Sequence, residues 1–78
     1  MRKGKYKIII TRHAFIRAIQ RRIDPDIIEQ ALQTGKTKII GKNKIKIEKK
    51  LKKFSVICID EIIGNTIKIV TITKKARK

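Results

Sequence analysis

Acidic side chains are scarce in this chain: six Asp and Glu stand against 22 Lys and Arg, leaving a net charge of +16. Self-repulsion on that scale disfavours a compact state, so a partner of opposite sign is expected: nucleic acid, an anionic membrane face or an acidic protein. Long apolar runs are missing too. The longest, residues 56–59, is far below the roughly 20 residues of a spanning helix. The basic start "MRKGKYKIII" has only three consecutive apolar residues, too few for a signal peptide, so no membrane partner is expected. The single cysteine, Cys58, excludes an intrachain disulfide, and its place inside an apolar run fits a reducing cytoplasm. One histidine and one cysteine do not make a zinc site. Asp24 and Asp26 read as helix caps, while Asp60 and Glu61 flank a turn and point apart, which argues against a two-metal nuclease. There is no Gly-rich phosphate loop, no GxxG loop and no complete Ser-His-Asp set. With Tyr6, Phe15 and Phe54 as its only aromatics, the chain lacks the stacking platform of an RRM. Neither a metal nor a cofactor is expected.

What the chain does have is isoleucine, at nearly every candidate core position, and room in 78 residues for one small domain, 1–78. Residues 5–10, "KYKIII", read as a strand, and Thr11 as the cap of a helix starting at Arg12. At 100° per residue Phe15, Ile16, Ile19 and Ile23 form one stripe, the expected buried face. His13, Arg17 and Gln20 line the opposite side with Arg21 beside them. Asp24-Pro25 supplies a cap and a first-turn proline for a second helix to about Gln33. Its buried edge is Ile27, Ile28, Ala31 and Leu32, and Gly35 is placed to end it in a left-handed turn. The period then becomes two. Strands are expected at 37–40, at 44–51 with Ile45, Ile47 and Leu51 inward, at 54–60 and at 66–73, with turns at 41–43 and at Gly64-Asn65. The final "KKARK", 74–78, reads as a frayed basic end. The order β-α-α-β-β-β-β implies an α+β fold: an antiparallel sheet with a helical hairpin on one face.

The stretch "TRHAFIRAIQRR", 11–22, carries the only histidine among four arginines, and it raises metal-independent RNA cleavage. That reaction needs a base for the 2′-hydroxyl proton, cations on the phosphate and a proton for the leaving 5′-oxygen. Histidine suits proton transfer near neutral pH, and arginine grips two phosphate oxygens at once. His13 is therefore the candidate base or acid, with Arg17 and Arg21 on the phosphate. Lys44, Lys46, Lys50 and Lys68, with Arg12 and Arg22, are the candidate contacts to the nucleic-acid backbone. The bland alternative is a solvated basic face with a surface histidine, which gives a binding module that uses charge and shape alone. Tyr6 and Cys58 read as packing residues.

The block "ITRHAFIRAIQRRIDPDIIEQAL" resembles a family of short prokaryotic and phage domains that open with a Ser/Thr-x-His-Ala-x-x-Arg helix. Those domains continue with Arg-x-Ile and a second capped helix, and they close on a Val-Thr-like segment, here "IVTIT". The layout is similar to RelE/ParE-type toxins, over roughly residues 6–73. The resemblance implies an endoribonuclease toxin, free or ribosome-dependent, neutralised by an acidic antitoxin protein. The positions matching the motif are Thr11, His13, Ala14, Arg17, Arg22, Ile23 and Thr71, which adds Thr71 to the candidate catalytic residues. The chain departs from the RelE pattern in "SVICID", which has no basic residue on a central strand. ParE-type members act on a DNA gyrase instead, and a shared fold does not separate the two activities.

Overall fold

A computed structural model describes residues 2–76. In chain order the elements are β1 (Arg2–Lys3), β2 (Tyr6–Ile10), α1 (Arg12–Gln20), α2 (Pro25–Thr34), β3 (Lys36–Gly41), β4 (Lys44–Lys50), β5 (Phe54–Ile63) and β6 (Thr66–Ala76). The α+β class is as expected, but the sheet is mixed, not antiparallel throughout. Its order is β1-β2-β6-β5-β4-β3, and β2 runs parallel to β6, from Lys7 opposite Thr66 to Ile10 opposite Ile69. The reason is directional: β3 enters opposite to β2, and three antiparallel steps bring β6 back in the direction of β2. The two helices are consecutive in the chain and each packs on the sheet. α1 rests mainly on β6, and α2 rests on β4 and β5.

Both helix starts follow the sequence. Thr11 Oγ1 accepts from the Ala14 N–H at 3.1 Å, and Asp24 Oδ1 accepts from the Asp26 N–H at 2.9 Å. The buried face of α1 is a correction. Ala14 and Ala18 are the residues that α1 itself buries, while Phe15, Ile16 and Ile19 stay 42–45% exposed; of the expected stripe only Ile23, beyond the helix, is buried. Small side chains one turn apart let the helix lie close against β6, and that close approach outweighs the larger apolar area of the other side. The helix ends in a Schellman turn, with Arg22 N–H on Ile19 O at 2.9 Å and Ile23 N–H on Ala18 O at 3.0 Å. Arg22 holds the left-handed position at φ 61°, and the turn swings Ile23 into the core.

In α2, Ile28, Ala31 and Leu32 are buried and Ile27 partly so, as the periodicity predicts. Gly35 does close the helix, but with φ −70° and ψ 162°, not in a left-handed turn. Glycine is needed there for space. A Cβ would collide with the Ala31 carbonyl and lie 2.9 Å from both the Glu48 carbonyl and Ile47 Cγ2.

Ile8, Ile45, Ile47, Val56, Cys58, Ile67, Ile69 and Ile72 face the helices and form the sheet's part of the core. β5 and β6 run longer than the sequence suggests. Lys74, Lys75 and Ala76 pair with Val56, Ser55 and Phe54, so the expected frayed end is strand as far as Ala76; residues 77–78 lie outside the described residues. β6 also carries a bulge: Ile59 opposes Thr71 but Asp60 opposes Ile69, which leaves Val70 as the extra residue. The bulge shifts the side-chain alternation, so Ile69 and Ile72, three positions apart, both point into the core.

Candidate functional site at the seam of α1 and β6

Where β2 stops at Ile10, the later half of β6 has no strand on that side, and α1 lies along it instead. An edge carbonyl left there needs a donor. Arg21 supplies it, donating from Nη1 to the Ile72 carbonyl at 3.1 Å. That bond fixes the guanidinium of the half-buried Arg21, and among the described residues nothing engages its remaining donors, which suit an anion.

Along this seam is a cleft of about 220 Å³ lined by His13, Ala14, Arg17, Arg21, Val70, Thr71 and Ile72. All four candidate catalytic residues, His13, Arg17, Arg21 and Thr71, therefore share one concavity. His13 and Arg17 are one helical turn apart and exposed, and Arg21 follows a turn later. The floor is made by Ala14, whose small side chain leaves the space, and by the bulged segment of β6. Chemically the cleft offers an imidazole and two guanidinium groups, a set suited to an anion with an exchangeable proton nearby, while the Thr71 side chain, next to the buried Ile72 and opposite Ile59, turns to the open face of the sheet.

The remaining candidates divide differently. Arg12 and Arg22 flank α1 and are exposed, but neither lines the cleft. Gln20, placed by periodicity beside His13, does not line it either. Lys44, Lys46 and Lys50 alternate with the buried Ile45 and Ile47, and Lys68 lies between the buried Ile67 and Ile69. These four project from the sheet face opposite the helices, so they do not share a surface with His13. On that open face Lys38 sits directly across from Lys46, a like-charge pair that destabilises the strands unless an anion intervenes.

Two features escaped the sequence. Asp60 is fully buried on the helix side of β5, between Ile45 and Ile69 on the flanking strands, and among the described residues neither carboxyl oxygen has a hydrogen-bond partner. Burial pushes its pKa up from 3.8 to about 7. Cys58, two positions along the same face, is pushed up to about 12, first by burial and then by the charge of Asp60. The thiol is thus an inert core group, as the sequence suggests. The second feature is a larger, open cavity of about 630 Å³ beyond the end of α1, lined by Arg21, Lys53, Phe54, Lys74 and Ala76. The sequence places Phe54 at the start of a strand, but only the tertiary fold brings it beside Arg21.

Among the described residues no group of three or more His, Cys, Asp or Glu could hold a metal ion, and no helix is long and apolar enough to cross a membrane. Comparison with family models, curated proteins and solved structures finds no match for this chain.

Proposed function

We propose that this protein is an RNA-directed, toxin-like protein with a RelE/ParE-type scaffold, acting as a metal-independent endoribonuclease. The observation that carries the reading is the meeting of His13, Arg17, Arg21 and Thr71 in one cleft. In this scheme the scissile phosphate lies against Arg17 and Arg21, and their charge offsets the negative charge that builds on its oxygens. His13 takes the 2′-hydroxyl proton as that oxygen attacks phosphorus. The bond from phosphorus to the 5′-oxygen breaks, and the leaving oxygen takes a proton from solvent. The products are a 2′,3′-cyclic phosphate and a 5′-hydroxyl end.

An acidic antitoxin-like protein is the proposed protein partner. The exposed Phe15, Ile16 and Ile19 on α1, beside a strongly basic surface, suit an acidic amphipathic segment. The test of the catalytic reading is RNA cleavage, with and without ribosomes, by the native chain and by His13→Ala. Cleavage should continue in the presence of a chelator and fall at least roughly a hundredfold in the variant, with RNA affinity little changed. If the native chain cuts no RNA in either setting, the enzymatic reading is wrong.

A second reading, a non-catalytic nucleic-acid-binding module, is favoured by one observation: Lys44, Lys46, Lys50 and Lys68 occupy the open sheet face, away from the imidazole. It predicts salt-dependent RNA or DNA binding that His13→Ala leaves nearly unchanged.

A further inference from the structure

We infer that the open cavity at the end of β5 and β6 is a nucleobase subsite, with Phe54 as the surface on which one base of a single-stranded RNA stacks. This rests on the RNA-directed reading above and extends it from a phosphate cleft to a path for the strand. Phe54 is half-buried, packed on one side against the core and held in place by its carbonyl, which accepts from the Leu51 N–H at 2.8 Å. Around it stand three cations, Arg21, Lys53 and Lys74. Arg21 lines both this cavity and the His13 cleft, so the two are neighbours along one seam. From His13 to Arg21 the helix rises about 12 Å, leaving room for a short stretch of strand between the imidazole and the ring.

The simpler alternative is that Lys74, with its Nζ 4.6 Å from the ring centroid, merely covers an apolar surface. The magnitudes decide against that as the end state once RNA is present. An exposed cation–π contact is worth a few-fold in affinity, whereas a base stacked on an aromatic ring is worth roughly ten- to a hundredfold. A base therefore displaces the lysine from the ring face, and the freed ammonium turns to the adjoining phosphate. Stacking of this kind needs an unpaired base, so the substrate class is single-stranded RNA and duplex is excluded.

The chain has no tryptophan, so Phe54→Trp places a lone indole reporter at the proposed stacking surface. The probe is a 2′-O-methylated oligonucleotide, which cannot be cleaved, compared with an abasic strand of the same length and with a duplex. Emission of the Phe54→Trp protein should be quenched by the oligonucleotide but not by the abasic strand or the duplex. Phe54→Leu, which keeps the apolar packing, should bind the oligonucleotide roughly tenfold more weakly than the native chain and bind the abasic strand equally well. Oligonucleotide binding seen by anisotropy with unchanged emission, or with no loss in Phe54→Leu, overturns the subsite and leaves the RNA-directed reading standing. Equal quenching by duplex also overturns it. If none of the proteins binds either strand, both readings fail.

Discussion

At the scale of single residues, the costliest feature of the structure is Asp60. With no hydrogen-bond partner among the described residues and a core of isoleucine around it, the carboxyl favours its protonated form. In the unfolded chain the group ionises near 3.8; in the folded protein it does so at about 7. Folding therefore takes up a proton between those values. The stability linked to this proton is fully present below about pH 4 and is lost as the pH rises towards 7, by an amount on the order of 4 kcal/mol. Asp60→Asn should remove that slope. Denaturant titrations of both proteins at several pH values test this, since other groups titrate in both and cancel in the difference. A difference between native and variant stability that stays constant from pH 4 to 7 would show that Asp60 is ionised throughout.

At the scale of elements, two substitutions at helix ends should act in opposite directions. Arg22 sits in the left-handed region at φ 61°, where an L side chain costs about 1 kcal/mol and glycine costs nothing comparable. Arg22→Gly should stabilise the fold by up to about that amount. Gly35 has an ordinary extended backbone but no room for a side chain, because two carbonyls and Ile47 close around it. Gly35→Ala should destabilise by about 1–3 kcal/mol, the usual cost of overpacking. Chemical denaturation measures both. The helix starts were legible because capping is local: Thr11, Asp24 and Pro25 satisfy or remove donors within three residues of themselves. The buried side of α1 was not legible. Apolar periodicity reads side-chain size and chooses Phe15, Ile16 and Ile19, whereas the sheet chose Ala14 and Ala18 because they permit close approach. The bulge at Val70 was hidden for a similar reason: a period of two cannot announce where it slips.

At the scale of the whole molecule, two groups of cations within the basic excess stand on surfaces separated by the sheet. On the helix side, the seam gathers Arg17, Arg21, Lys53 and Lys74 along the path proposed for RNA. On the open side are Lys38, Lys44, Lys46, Lys50 and Lys68. Each lost contact to a single-stranded phosphate should reduce the slope of log affinity against log salt by about 0.7. Replacing a seam cation with Ala should therefore flatten the slope for a short oligonucleotide, while Lys44→Ala or Lys46→Ala should leave it unchanged. Affinity measured between low and physiological salt decides; equal effects from both surfaces would place the strand across the sheet instead. β3, exposed at all six residues, is an edge that its lysines protect from pairing with other sheets.

The sequence by itself determined the quantities that depend on near neighbours: the charge excess, the helix caps, the inward alternation of Ile45 and Ile47, and the placing of His13 one turn before Arg17. Tertiary structure decided whatever depends on partners distant in the chain. It set the parallel pairing of β2 with β6, the burial of Asp60 and the separation of the open-face lysines from the imidazole. It also brought Thr71 and Phe54, remote in sequence, to the same seam as Arg21. The physical reason is that hydrogen bonds and side-chain periodicity within an element are fixed over a few residues. Which face is covered, and which side chains meet across a gap, depends on how closely one element can approach another.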